Sequence, residues 1–174
     1  MSSLGRTSQW APRSAGPVAA RGWEMPRWPG LVGTTLSAAG LAVASYLTYE
    51  HFTSSSTLAC SDSGVVNCLK VTTSSFSAVF GVPVAVLGLV FFALMLVLQL
   101  PAMWRRPEQA LRVGRLGWAV IGLCSALYLL CVELFAVDAI CLWCTAVHVI
   151  TLVLFGTTLF ATATYPPTET VEVD

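Results

Sequence analysis

The chain has 174 residues, 56% of them hydrophobic and 10% charged, with zero formal net charge and a mean hydropathy of +0.75. Soluble domains carry about 25% charged residues, so this composition excludes an ordinary soluble globule and points to an integral membrane protein. A balanced charge offers no attraction to a polyanion, and no nucleic-acid partner is expected.

Residues 1–30 are rich in Ser, Gly, Pro, Ala and Arg and lack sustained periodicity, which predicts a disordered tail ended by Pro26 and Pro29. Four apolar segments follow, at 31–49, 82–100, 117–137 and 142–162. Each approaches the ~20 residues that cross ~30 Å of hydrocarbon as a helix. Lipid admits only helices or closed barrels, and no segment alternates with period two. The expected fold is therefore all-α, an integral membrane four-helix bundle over residues 31–162 with a short acidic tail at 163–174. The Arg-bearing start and Ala42-Val43-Ala44 imitate a cleavable signal peptide. Apolar character running on through Tyr46 and Leu47 favours a retained helix.

Arginines stand at 6, 13, 21 and 27 and again at 105, 106, 112 and 115, with Lys70 the one other base. The positive-inside rule puts both clusters, and hence both termini, in the cytoplasm of a cell-membrane protein. Loop 50–81 and the turn 138–141 then lie outside, so the bundle carries an extracytoplasmic cysteine-bearing loop.

That orientation gathers four of the six cysteines on the outer face, in an oxidising compartment. Cys141 and Cys144 form C-L-W-C at the start of the fourth helix. Two intervening residues hold two sulfurs within bonding reach, and the first thiol sees the positive end of the helix, which favours its thiolate. Cys144, one turn in, is expected to face the bundle, where an electron acceptor dissolved in lipid can reach it. Cys60 and Cys68 flank a polar, Gly-containing stretch, CSDSGVVNC, that reads as a flexible loop. A mobile pair beside a fixed pair suits thiol–disulfide exchange. Two readings compete with this relay. The pairs could be structural disulfides of a non-catalytic membrane scaffold, or the four thiolates could hold zinc, although C-x7-C exceeds the usual ligand spacing. No metal is expected. Cys124 and Cys131, seven positions apart on the third helix, read as small buried hydrophobes.

The order of these motifs resembles the vitamin K epoxide reductase (VKOR) family. The resemblance rests on C-x7-C in the first outer loop, Ser74 six residues after Cys68, Val79-Phe80-Gly81-Val82-Pro83 opening the second helix, and C-x-x-C opening the last. It spans about residues 31–162 and looks like the bacterial, stand-alone form without a fused thioredoxin-like domain. The DsbB family places its C-x-x-C in the first outer loop, the reverse order.

The resemblance implies a thiol:quinone oxidoreductase. Cys144 would contact a quinone (menaquinone or ubiquinone), Cys141 would exchange with the loop, Cys68 would pair transiently with Cys141, and Cys60 would be the outer shuttle cysteine. Ser74 would anchor the loop near the quinone, and Phe76 and Phe80 would cover the pocket. Ser77 and His148 stand where the vertebrate enzymes have asparagine and tyrosine, so polar contacts to the quinone are rearranged. The implied partner is a separate DsbA-like thioredoxin-fold protein, reoxidised to form disulfide bonds. A quinone or quinone-epoxide reductase in the vitamin K sense is the alternative, since its reaction centre is the same. Independently of the resemblance, His148 falls on the face of Cys144 by i,i+4 spacing. Glu133 is placed to reach the headgroups, Asp138 to cap or turn, and Trp143 to sit at the membrane interface.

Overall fold

The computed structural model describes residues 26–53, 60, 64–106 and 108–165. The tail at 1–25 and nearly all of the acidic tail at 163–174 lie outside the described residues. Helix α1 spans Trp28–Phe52 and is followed by short α2, Cys68–Thr72. A 3-10 turn at Ser75–Ser77 leads into strands β1, Ala78–Val79, and β2, Val82–Pro83. Then come α3 (Val84–Gln99), α4 (Pro101–Trp104), α5 (Gln109–Val132) with a π-helical turn at Glu133–Val137, and α6 (Leu142–Thr164). The result is the expected all-α membrane bundle.

Several boundaries differ from the sequence expectation, each for a local reason. Helix α1 starts at Trp28, not 31, because Pro29 occupies its first turn, where a missing N–H costs nothing. The second helix starts at Val84, not 82, because Val82 and Pro83 pair with Val79 and Ala78 in a hairpin. Phe80 and Gly81 form its two-residue turn with φ of 51° and 81°, the left-handed pair that such turns need. The stretch expected as a loop at 101–116 contains α4 and the first two turns of α5.

Helices α1, α5 with its π turn, and α6 are long and apolar enough to cross a membrane. The 16-residue α3 is shorter, about 24 Å at 1.5 Å per residue. The helices form a ring in which α3 packs on α1, α1 on α6 and α6 on α5, while α5 returns to α3 through a thinner contact. The closest seam is α1 against α3. Gly33, Ser37, Gly40 and Ala44 form a buried stripe of small residues on α1, the device that lets membrane helices approach closely. A Cβ at Gly40 would overlap the Phe92 ring, and one at Gly33 would lie 2.6 Å from the Gln99 amide. Phe92, Met95 and Leu154 fill the core beside Ala44 and Ala119. Leu31, Leu94, Leu152 and Phe160 point outward, as lipid-facing residues should.

The end of the bundle remote from the C-x-x-C is tied by polar contacts. Gln99 donates from Nε2 to Thr158 Oγ1 at 2.6 Å and accepts from Trp104 Nε1 at 2.9 Å. The Arg115 guanidinium lies 3.7 Å over the Trp104 ring and donates to the Leu98 carbonyl.

Candidate active site

The site is built at the other end, where α2, the π turn and the start of α6 meet. An isolated parallel bridge joins Val66 to Ile140. Ile140 donates to the Val65 carbonyl at 2.8 Å, and Asn67 donates to the Ile140 carbonyl at 3.1 Å. The residues that follow the two bridged segments are Cys68 and Cys141. Each opens a helix, Cys68 as the first residue of α2 after its Asn67 cap and Cys141 as the cap of α6. Asn67 Oδ1 accepts the Lys70 N–H at 2.9 Å, and the Lys70 ammonium reaches the Asp138 carbonyl at 3.5 Å. Cys68 and Cys141 are both 0% exposed.

Cys60 and Cys68 are joined in a disulfide, with Cα atoms 6.0 Å apart. Cys141 and Cys144 are free thiols. The freely moving loop expected around the first pair is therefore corrected at one end: Cys68 is fixed in a helix and buried. Residues 54–59 and 61–63 lie outside the described residues.

Cys141 Sγ accepts the Cys144 N–H at 3.3 Å, a sulfur capping its own helix as a capping oxygen would. The Cys141 carbonyl accepts both the N–H and the hydroxyl of Thr145, at 2.8 and 2.9 Å. The hydrogen bond from the Cys144 thiol holds the Cys141 thiol below the ordinary cysteine range, and the Cys144 and Trp143 amides act in the same sense. Burial and the nearby Glu133 charge oppose them. The residue next to the helix start is thus the one disposed to be thiolate, with a neighbouring thiol as the largest cause rather than the helix amides alone.

Inward of this pair, a cavity of about 740 Å³ opens between α1, α3, α5 and α6 where α5 and α3 diverge. Its walls are largely Leu, Val, Phe and Trp. Of the residues singled out from the sequence, Ser74, Phe76, Ser77, Cys144 and His148 line it. Phe80 does not. It sits at the hairpin tip, 103% exposed, because the positive φ that makes the turn directs its side chain away from the bundle. His148 Nδ1 is buried and has no hydrogen-bond partner among the described residues. Trp143 packs its ring against Tyr46, centroids 5.0 Å apart.

Glu133 departs most from expectation. It does not reach outward to headgroups: it is 3% exposed, and its carboxyl lies within hydrogen-bonding reach of the Cys141 N–H and the Cys144 thiol. Position 133 continues the buried stripe of α5 formed by Arg115, Ala119, Gly122 and Ala126, seven residues beyond the last of them, and a π turn begins there. Asp138 closes that turn in the left-handed region, φ 50°. Cys124 and Cys131 are exposed rather than buried, and Cys124 borders the cavity. His51, in the last turn of α1, also lines the cavity. Its sequence position offered one signal, an ionisable residue at the end of an apolar run. Among the described residues no group of three or more His, Cys, Asp or Glu is placed to hold a metal ion.

The family model for the vitamin K epoxide reductase family matches residues 31–159. A comparison with curated protein sequences finds no match. That family consists of membrane oxidoreductases whose redox partner is a quinone. The match covers the whole described bundle from the second turn of α1 to the last turns of α6. With its membrane-spanning helices and its cysteine pairs, this chain belongs to the vitamin K epoxide reductase family.

Proposed function

We propose that the protein is a thiol:quinone oxidoreductase that reoxidises a thioredoxin-fold partner outside the membrane and reduces a membrane quinone. One observation carries this reading: the Cys141/Cys144 dithiol borders a large apolar cavity, beside a second cysteine pair clamped to the same turn. Structural disulfides need no such cavity. A volume near 740 Å³ lies within the ~300–1,000 Å³ of small-molecule sites. Its apolar walls suit a flat ring with an isoprenoid tail. Two buried polar atoms without partners among the described residues, His148 Nδ1 and Glu133 Oε2, belong to residues that line it, where a quinone carbonyl would accept from a protonated His148 Nδ1 and a quinol hydroxyl would donate to Glu133 Oε2. Cys144, His148, Ser74, Ser77 and Phe76 would hold the quinone, which supplies a two-electron, two-proton acceptor.

The protein's own residues then act in sequence. A partner thiolate attacks the Cys60–Cys68 disulfide at Cys60 and releases Cys68 as thiolate. The partner's second thiol displaces Cys60 and leaves as an oxidised disulfide. Cys68 attacks Cys141 of an oxidised Cys141–Cys144 pair, and Cys144 leaves as thiolate. Cys60 then attacks Cys68, restoring the first disulfide and freeing Cys141. Two electrons have moved from the partner to the pair beside the cavity. The basic segments near 27 and 105–115 support an arrangement with both termini in the cytoplasm and these cysteines outside.

The test is oxidation of a reduced thioredoxin-fold substrate by purified protein with a short-chain quinone. Wild-type protein should turn over, and Cys144→Ala should abolish quinone-dependent turnover. Retained turnover in Cys144→Ala would refute the mechanism.

A further inference from the structure

Glu133 has no part in the exchange just described, yet it is the acidic residue closest to its chemistry. Three independent features converge on it. It opens a π turn, and such turns are uncommon departures from α-helix that occur often at functional sites. Its carboxyl is buried against the Cys141 N–H and the Cys144 thiol. Its Oε2 has no partner among the described residues, and Glu133 lines the same cavity as Cys144 and His148. A carboxyl buried this way costs several kcal/mol unless it is compensated, so burial without a use would be selected against. A carboxylate touching both a thiol and a ligand cavity can carry a proton from one to the other.

We propose that Glu133 is a catalytic residue, the proton acceptor for the Cys144 thiol. This rests on the thiol:quinone reading. In the reductive half-reaction the Cys141 thiolate and the Cys144 thiol, the latter reprotonated after the exchange, leave as one disulfide. One S–H bond breaks, one S–S bond forms, and two electrons pass to the quinone. The Cys144 proton goes to the Glu133 carboxylate and from there to an oxygen of the reduced quinone. The second proton of the quinol comes from solvent, into which the oxidised partner's thiols released theirs. Glu133 returns to carboxylate, ready for the next cycle. The other titratable or charged groups on the elements around it are Cys141 at the start of α6, His148 of α6 and His51 of α1, the two histidines lining the same cavity, Asp138 at the end of its own turn, and Lys70 of α2, which holds the Asp138 carbonyl.

Two measurements on the full-length protein test this. In a Cys141→Ser background, the rate of Cys144 alkylation is followed against pH. With Glu133 present the profile should have two steps, because two touching groups titrate as a pair. Glu133→Gln should reduce it to one. Identical profiles would overturn the assignment, and this readout needs no quinone. Separately, the reduced protein with all its cysteines is mixed with a short-chain quinone and disulfide formation is timed. Glu133→Gln should slow it about 100-fold, the lower range for loss of a general acid–base group. Glu133→Asp should keep the two-step profile and lose less rate, which also covers failure of the Gln variant to fold. Oxidation of Glu133→Gln at the wild-type rate would sink the proposal alone. Failure of the wild-type protein to react with quinone would sink the thiol:quinone reading instead, while the alkylation profiles still decide whether Glu133 and Cys144 share a proton.

Discussion

Replacing Cys144 by Ala should move the titration of a different residue, Cys141, to higher pH. Cys141 Sγ is buried and accepts the Cys144 backbone N–H at 3.3 Å, and the Cys144 thiol is the largest influence holding it below the ordinary cysteine range. The substitution removes the thiol and leaves the N–H. A hydrogen bond to a charged group is worth about 1.5–3 kcal/mol, and one pH unit corresponds to about 1.4 kcal/mol. The midpoint should therefore rise by about 1–2 units. The sign follows from which form is held. The donor stabilises thiolate, so its loss favours thiol, and at a pH below both midpoints the thiolate fraction should fall about 10- to 100-fold. Ultraviolet thiolate absorbance of the reduced protein reads this directly, each variant taken against its own Cys141→Ala control. The opposing influence is burial, which also acts on Cys141. If the smaller Ala side chain mainly admitted water, the midpoint would fall. A midpoint that stays or falls would refute the claim that the neighbouring thiol is the dominant influence.

Two further predictions concern the scaffold. Gly40→Val should destabilise the bundle by about 1–3 kcal/mol in detergent-induced unfolding, the cost of overpacking a filled core, because its side chain would occupy the Phe92 ring; unchanged stability would show that the α1–α3 seam is looser than described. Asn67→Ala removes the cap of α2, at about 1 kcal/mol, so exchange of the Lys70 amide should quicken about fivefold. No change at that amide would mean the bridge to Ile140, not the cap, holds α2.

What was legible in the sequence was whatever depends on local order along the chain. Apolar run length sets helix length, so the four segments appeared at nearly their true positions. The two-residue spacing of Cys141 and Cys144 places them at one helix start whatever surrounds them. Motif order carried the family resemblance for the same reason. Even there, Phe80 was misplaced: the resemblance implies a pocket wall, but its backbone conformation makes it an exposed turn residue.

The tertiary structure decided what two distant segments do together. No spacing within 64–68 or 138–141 shows that Val66 pairs with Ile140 and so sets Cys68 beside the turn that carries Cys141. The width of the cavity depends on how far α3 and α5 diverge, which is a property of packing. Glu133 divides between the two: the stripe of Arg115, Ala119, Gly122 and Ala126 extends by helical periodicity to position 133, while the cysteine turn that meets it there is a matter of packing. From composition and spacing alone the C-x-x-C pair at the head of α6 already read as the expected redox pair. Its thiol donor, its buried carboxylate and the clamped disulfide beside it required three segments to meet in space.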